Sequence, residues 1–206
     1  KPTVKFEEKA AHIHFAQDTK IIYQQSNQIS GLGQGRQFEI SHLTECASWK
    51  YPLIIENDFF PTIPLSINTL AILESTAQGR GNWWHEFTEG TRTGEHPEWN
   101  YAFIPWYACW KDLGSGHKYA MTAPLNWVPA QVSLLHAKKV EDTSKEWTGR
   151  VVQLTRDQLY WYELRRESAR KAGTLNIFLT NYCATPEESY QHSTASAFSS
   201  ELLEKI

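Results

Sequence analysis

Apolar positions in this chain fall into short runs whose spacing changes along its length. Runs at 12–15 (HIHF) and 20–26 (KIIYQQS), separated by AQDT, alternate or are β-branched and predict a hairpin. GLGQGRQ at 31–37 reads as a loop, and FEISHL at 38–43 as a strand ending at Thr44-Glu45. Pro52, Pro61 and Pro64 bracket a stretch that suits a short helix. TLAILES at 69–75 is apolar without alternation, which predicts a strand covered on both faces. NWWHEFTEG at 82–90 predicts a short helix with Asn82 as N-cap and Gly90 beyond its end. WNYAFIPWYACW at 99–110 reads as another central strand, stopping before Pro105.

From 111 to 150 the pattern is weak and broken by Pro124 and Pro129, which predicts an irregular segment. Thr155 and Gln158 then form a capping box for a helix running to about Lys171, stopped by Gly173. Thr185, Pro186 and Glu188 repeat the signature for a shorter helix, and SSELLEKI closes the chain as an amphipathic piece. Strands alternating with helices, followed by a helical tail, favour an α/β core. The expected division is 1–150 and 151–206.

Composition narrows this further. At 206 residues the chain fits one ordinary domain, with or without an appendage. A net charge of −3 gives no general attraction to nucleic acid or acidic membranes, so any DNA contact is local. Cys46, Cys109 and Cys183 are far apart with no CxxC, which reads as reduced, intracellular thiols without a zinc site. Neither a signal peptide nor an apolar run of transmembrane length is present. The sequence opens KPTVKFEEKA without an initiator Met and is expected to be a piece of something longer.

Candidate chemistry gathers at two strand ends. Glu45 sits at the carboxyl end of a strand, where open α/β sheets bind ligands and where a carboxylate can orient or deprotonate water. On pattern alone, an ordinary exposed strand-end glutamate is favoured. Glu74-Ser75-Thr76-Ala77 ends the next apolar strand; hydroxyls there cap a turn or sense a phosphate. Two adjacent tips carrying polar groups would make one site. The glycine loop at 31–37 does not match GxxxxGK[ST] and precedes a strand, so it lacks a helix N-terminus for phosphate. The histidines show no metal-ligand spacing; His12 and His14 share a strand face without a third ligand. The Trp-rich stretch at 99–110 reads as aromatic core before stacking platform. Glu45 with Glu74 also allows a glycosidase-like carboxylate pair, a more distant reading.

The order of these pieces resembles the large terminase subunit of tailed bacteriophages, the motor that packages DNA into the prohead. GLGQGRQFEISHLTECASW looks like that family's Walker B region, and TLAILESTAQGRGNWWHEF like its coupling motif. AFIPWYACW resembles the following strand, and DQLYWYELRR with TNYCATPEESYQHSTASAF the stretch that closes the ATPase domain. The resemblance implies a partial RecA-like (ASCE) P-loop NTPase sheet over 1–150, and a helical closing subdomain over 151–206 leading toward a nuclease domain. Carried over, Glu45 matches the catalytic glutamate that activates water for ATP hydrolysis. Thr44 stands where relatives have the Mg²⁺-associated Asp; a hydroxyl there reaches metal only weakly or through water. Ser75 and Thr76 match the coupling motif, with Ala77 and Gly79 keeping its turn tight. Arg36 and Arg80 are candidate phosphate, DNA or transition-state contacts.

The family's P-loop is expected upstream of Lys1 and its nuclease domain after Ile206. The resemblance therefore implies an ATP- and Mg²⁺-dependent enzyme of which this chain alone is inactive. Its partners would be double-stranded DNA, the portal protein, the small terminase subunit and further copies in a ring. It would work in the host cytoplasm at the prohead portal, away from any membrane. The rival expectation is a P-loop-less fragment that docks on another chain supplying the nucleotide.

Overall fold

The computed structural model describes residues 30–64, 66–108 and 119–191, and the backbone alone of 3–7, 10–14 and 20–24. Cys109 and the closing SSELLEKI lie outside the described residues. The chain divides into two compact units, Lys1–Ser75 and Thr76–Ile206. The expected division at 150/151 would instead cut the second unit between two helices that share one core.

In the first unit, β1 (Thr3–Glu7), β2 (Ala10–His14) and β3 (Lys20–Gln24) form an antiparallel sheet in that order. The expected hairpin is the β2–β3 pair, with Ile13 opposite Ile21. The third strand, β1, was not foreseen in TVKFE. A separate pair follows: β4 (Ile40–Leu43) and β5 (Leu70–Leu73) run parallel, from Ile40↔Leu70 to Leu43↔Leu73. The crossover between them holds a π-helical turn at Ile55–Phe59 and a 3₁₀ turn at Phe60–Thr62, the short helix expected between prolines. Ile54, Ile55 and Phe59 turn inward there, and Leu32, Leu43 and Cys46 are also buried.

Burial on both faces of this parallel pair does not hold. Ser41 and Leu43 point inward, but Ile40, Leu70 and Ile72 are 72%, 52% and 41% exposed. Parallel strands are normally covered on both sides, so one apolar face of β4 and β5 stands open to solvent.

The second unit is helical among its described residues. α1 (Trp83–Thr93) begins at Asn82, whose side chain accepts the His85 N–H at 2.9 Å. It runs past Gly90 to Gly94, whose φ of 88° makes it the real terminator. Gly90 is there for space: a Cβ would meet the His96 ring at 2.9 Å. The expected strand before Pro105 is absent, and Trp106–Ala108 is a 3₁₀ turn. Tyr101 and Phe103 lay their rings edge-on against Trp147 of a helix instead of facing a sheet.

That helix, α2 (Gln131–Thr148), occupies the segment expected to be irregular. Its preceding residue, Ala130, has no side chain to cap it. The acceptor comes from α3 (Arg156–Lys171), where Glu163 takes the Ala130 N–H at 2.8 Å, the Ser133 hydroxyl at 3.0 Å and the Trp127 indole N–H at 3.4 Å. A carboxylate also suits the positive end of the helix dipole. α3 itself carries the expected capping box of Thr155 and Gln158. α4 (Leu175–Asn181) was not foreseen, and α5 (Pro186–Ser189) is a single turn capped by Thr185.

The core of this unit is aromatic. Trp106 stacks near His136, Trp161 and Tyr162, with Tyr107, Val140, Val152, Phe178 and Ala184 completing the cluster. His136 lies 4.1 Å from the Tyr162 ring, centroid to centroid, and its Nε2 accepts the Trp106 indole N–H at 3.3 Å. Burial pushes the His136 pKa down to about 4; the nearby Lys139 acts in the same direction, and Glu188 opposes it.

Two outcomes follow from these contacts. Replacing Glu163 by Ala strands three donors and should cost about 2 kcal/mol in urea unfolding, with Glu163→Gln retaining part of that. His136 titrates lower in the folded state, so the unfolded chain takes up its proton first. Stability should be full above about pH 6.5, fall on acidification toward about pH 4, and level off below. That loss should be about 3 kcal/mol and shrink in His136→Phe, measured by denaturant titration at stepped pH.

Candidate functional site

Parallel pairing brings the carboxyl ends of β4 and β5 side by side, and the chain is sewn together there. The Glu74 N–H donates to Leu43 O at 2.9 Å, and the Cys46 N–H returns to Glu74 O at 3.2 Å. Beyond β4 the backbone turns sharply into a 3₁₀ turn at Cys46–Ser48. Glu45 makes that turn with φ 53° and ψ 39°, the one positive φ outside glycine among the described residues. A left-handed glutamate costs on the order of 1 kcal/mol and persists only where neighbours impose it. The neighbours here are specific. The Ser48 N–H closes on Glu45 O at 2.8 Å, the Trp49 indole N–H on Thr44 O at 2.9 Å, and the Ala47 N–H on the Ser75 hydroxyl oxygen at 3.0 Å.

Thr44 and Glu45 are both exposed, while Ser75 is half-buried. The structure thus joins Glu45's turn to Ser75, the two tips singled out in the sequence. Glu74 extends its carboxylate toward His42, with Oε1 3.9 Å from Nε2, across the open face of the sheet. Cys46, fully buried between the tips, has its thiol pushed up to about 12 by burial, and the Glu74 carboxylate adds to the effect. It therefore stays a thiol and packs as a small apolar group.

Arg36 lies in the 30–37 turn of the same unit, where glycines 31, 33 and 35 all take positive φ. Gly31 donates to Asp58 at 2.5 Å, and a Cβ on Gly33 would meet Thr62 at 3.1 Å, so the turn is packed against its crossover. Nη1 of Arg36 is enclosed without a hydrogen-bond partner. Thr76, Ala77, Gly79 and Arg80 belong to the second unit. Gly79 is buried at φ 82°, the conformation a tight turn demands of it. Arg80 is exposed, and its charge helps hold the Glu89 carboxyl below its usual range, after the larger effect of the Arg92 hydrogen bond.

Sequence reasoning missed the clamps. Asn82 was foreseen as a cap, but its amide nitrogen also donates to Gln78 O at 3.1 Å and Gly79 O at 2.9 Å. The glycine loop before α1 is therefore fastened at two carbonyls. Trp49 was passed over although TECASW puts an indole donor four residues beyond Glu45. Among the described residues no group of three or more His, Cys, Asp or Glu side chains is placed to hold a metal, and no helix is long and apolar enough to cross a membrane.

Asn82→Ala removes the α1 cap and both loop fastenings together. It should cost about 1–2 kcal/mol of stability and speed amide exchange across 78–85, read by hydrogen exchange.

No family model, curated protein or solved structure matches this chain.

Proposed function

We propose that this chain is the catalytic-glutamate and coupling portion of a DNA-packaging motor ATPase, with β4 and β5 as neighbouring strands of a RecA-like sheet. The observation that carries the reading is the hydrogen bond from the Ala47 N–H to Ser75 Oγ, which ties the turn of Glu45 to the coupling strand. An exposed carboxylate on an imposed turn at the carboxyl end of parallel strands is suited to orienting a water and accepting its proton at a carboxylate oxygen. Thr44, exposed beside it, offers only a hydroxyl to a metal-bound water.

These tips do not by themselves fit Mg²⁺-ATP. They supply the carboxylates of Glu45 and Glu74 and the hydroxyls of Thr44 and Ser75, where a phosphate grip takes a row of backbone amides and a lysine. The whole motor would add that grip, together with double-stranded DNA, the portal protein, the small terminase subunit and a ring of copies. The open face formed by Ile40, Leu70 and Ile72 favours, as a second reading, a fragment that docks on a chain bearing GxxxxGK[ST].

Calorimetric titration of Mg²⁺-ATP into this chain should give no binding at micromolar affinity. In an enzyme that includes the P-loop, Glu45→Gln should lower ATP turnover by about a hundredfold or more. Near-wild-type turnover refutes the base assignment.

A further inference from the structure

We infer that Ser75 is a positioning residue for Glu45: by accepting the Ala47 N–H, its hydroxyl keeps Glu45 in the left-handed conformation. Glu45 holds φ at 53° without the freedom of glycine, so the turn has an alternative that local sterics favour. The Cys46 N–H to Glu74 O bond continues the strand ladder, and the Ser48 N–H to Glu45 O bond belongs to the turn itself. The Trp49 indole clasps Thr44 O from the far side. The Ser75 bond differs from these in that its acceptor sits on a single rotatable side-chain bond. One change of rotamer withdraws it, leaving the Ala47 N–H to seek another partner and Glu45 to relax. The turn is therefore a two-position element, set by Ser75, that aims or withdraws the Glu45 carboxylate. Its meaning as regulation of hydrolysis rests on the reading of Glu45 as the base; the latch itself does not.

The test is solution NMR on the whole chain, reading Glu45 φ from three-bond couplings and the exchange rate of the Ala47 amide. Ser75→Ala should release Glu45 to negative φ and raise Ala47 exchange about fivefold, the value of one ordinary hydrogen bond. Ser75→Thr, which keeps the hydroxyl, should restore both. Glu45→Gly in the Ser75→Ala background should retain positive φ, because glycine needs no latch. Should Ser75→Ala not fold, Ser75→Cys, with its weaker acceptor, gives the same readout in graded form. A Glu45 φ that stays positive, with unchanged Ala47 exchange, overturns the proposal. A Glu45 that relaxes as expected, with ATP turnover of the P-loop-bearing enzyme unaffected by Glu45→Gln, leaves the latch standing and removes the hydrolytic reading alone.

Discussion

The parallel register of β4 and β5 is the constraint on which the candidate site depends. Pairing Leu43 with Leu73 decides that Thr44-Glu45 and Glu74-Ser75 leave the sheet at the same end and the same level. Slipping the register by one residue would turn Ser41 and Leu43 outward and separate Ala47 from Ser75. The left-handed turn, the buried thiol of Cys46 and the indole clasp all sit downstream of that alignment. The pairing is sparse for such a task, with four residues on each strand and an apolar face uncovered. What it lacks in breadth is made up at the tips, where the chain reverses through several short hydrogen bonds.

Much of this was legible in the sequence, because strand ends are written locally. FEISHL and LAIL have the β-rich apolar character of buried strands, and the polar residues just past each run mark where the strand stops. What could not be read was the bond between them. A serine hydroxyl and a backbone amide 28 residues away leave no periodicity. The conformation of Glu45 was equally hidden, since glutamate is not a residue whose presence announces a positive φ. Face coverage failed for a different reason. An apolar run without alternation says what a strand can bury, whereas burial is decided by what lies against it.

The helical unit divides along the same line. α3 declared itself through Thr155 and Gln158, a signal contained within four residues, and its end through Gly173. α2 gave no such sign, because its cap is borrowed from 33 residues downstream and its inward face carries Ser133 and Ser144 among the apolar positions. Ser144 is not wasted there: its hydroxyl accepts the Val152 N–H at 2.7 Å and fixes the chain as it leaves the helix. The strand expected before Pro105, which holds Tyr101 and Phe103, misled in the opposite sense. Aromatic residues there need a cover, and here the cover is Trp147 on a helix.

The loan of Glu163 to α2 bears on how this protein can be taken apart. A piece ending in the exposed 149–151 link would look sensible from exposure, and it would keep every residue of α2. It would also leave the first turn of that helix with bare amides and remove Trp161 and Tyr162 from beside Trp106. Helices joined in this way are units of sequence but not of stability. The smallest excisable piece on this side of Ser75 is the whole helical unit, and a protease nick within 149–151 should be tolerated only while both halves stay associated.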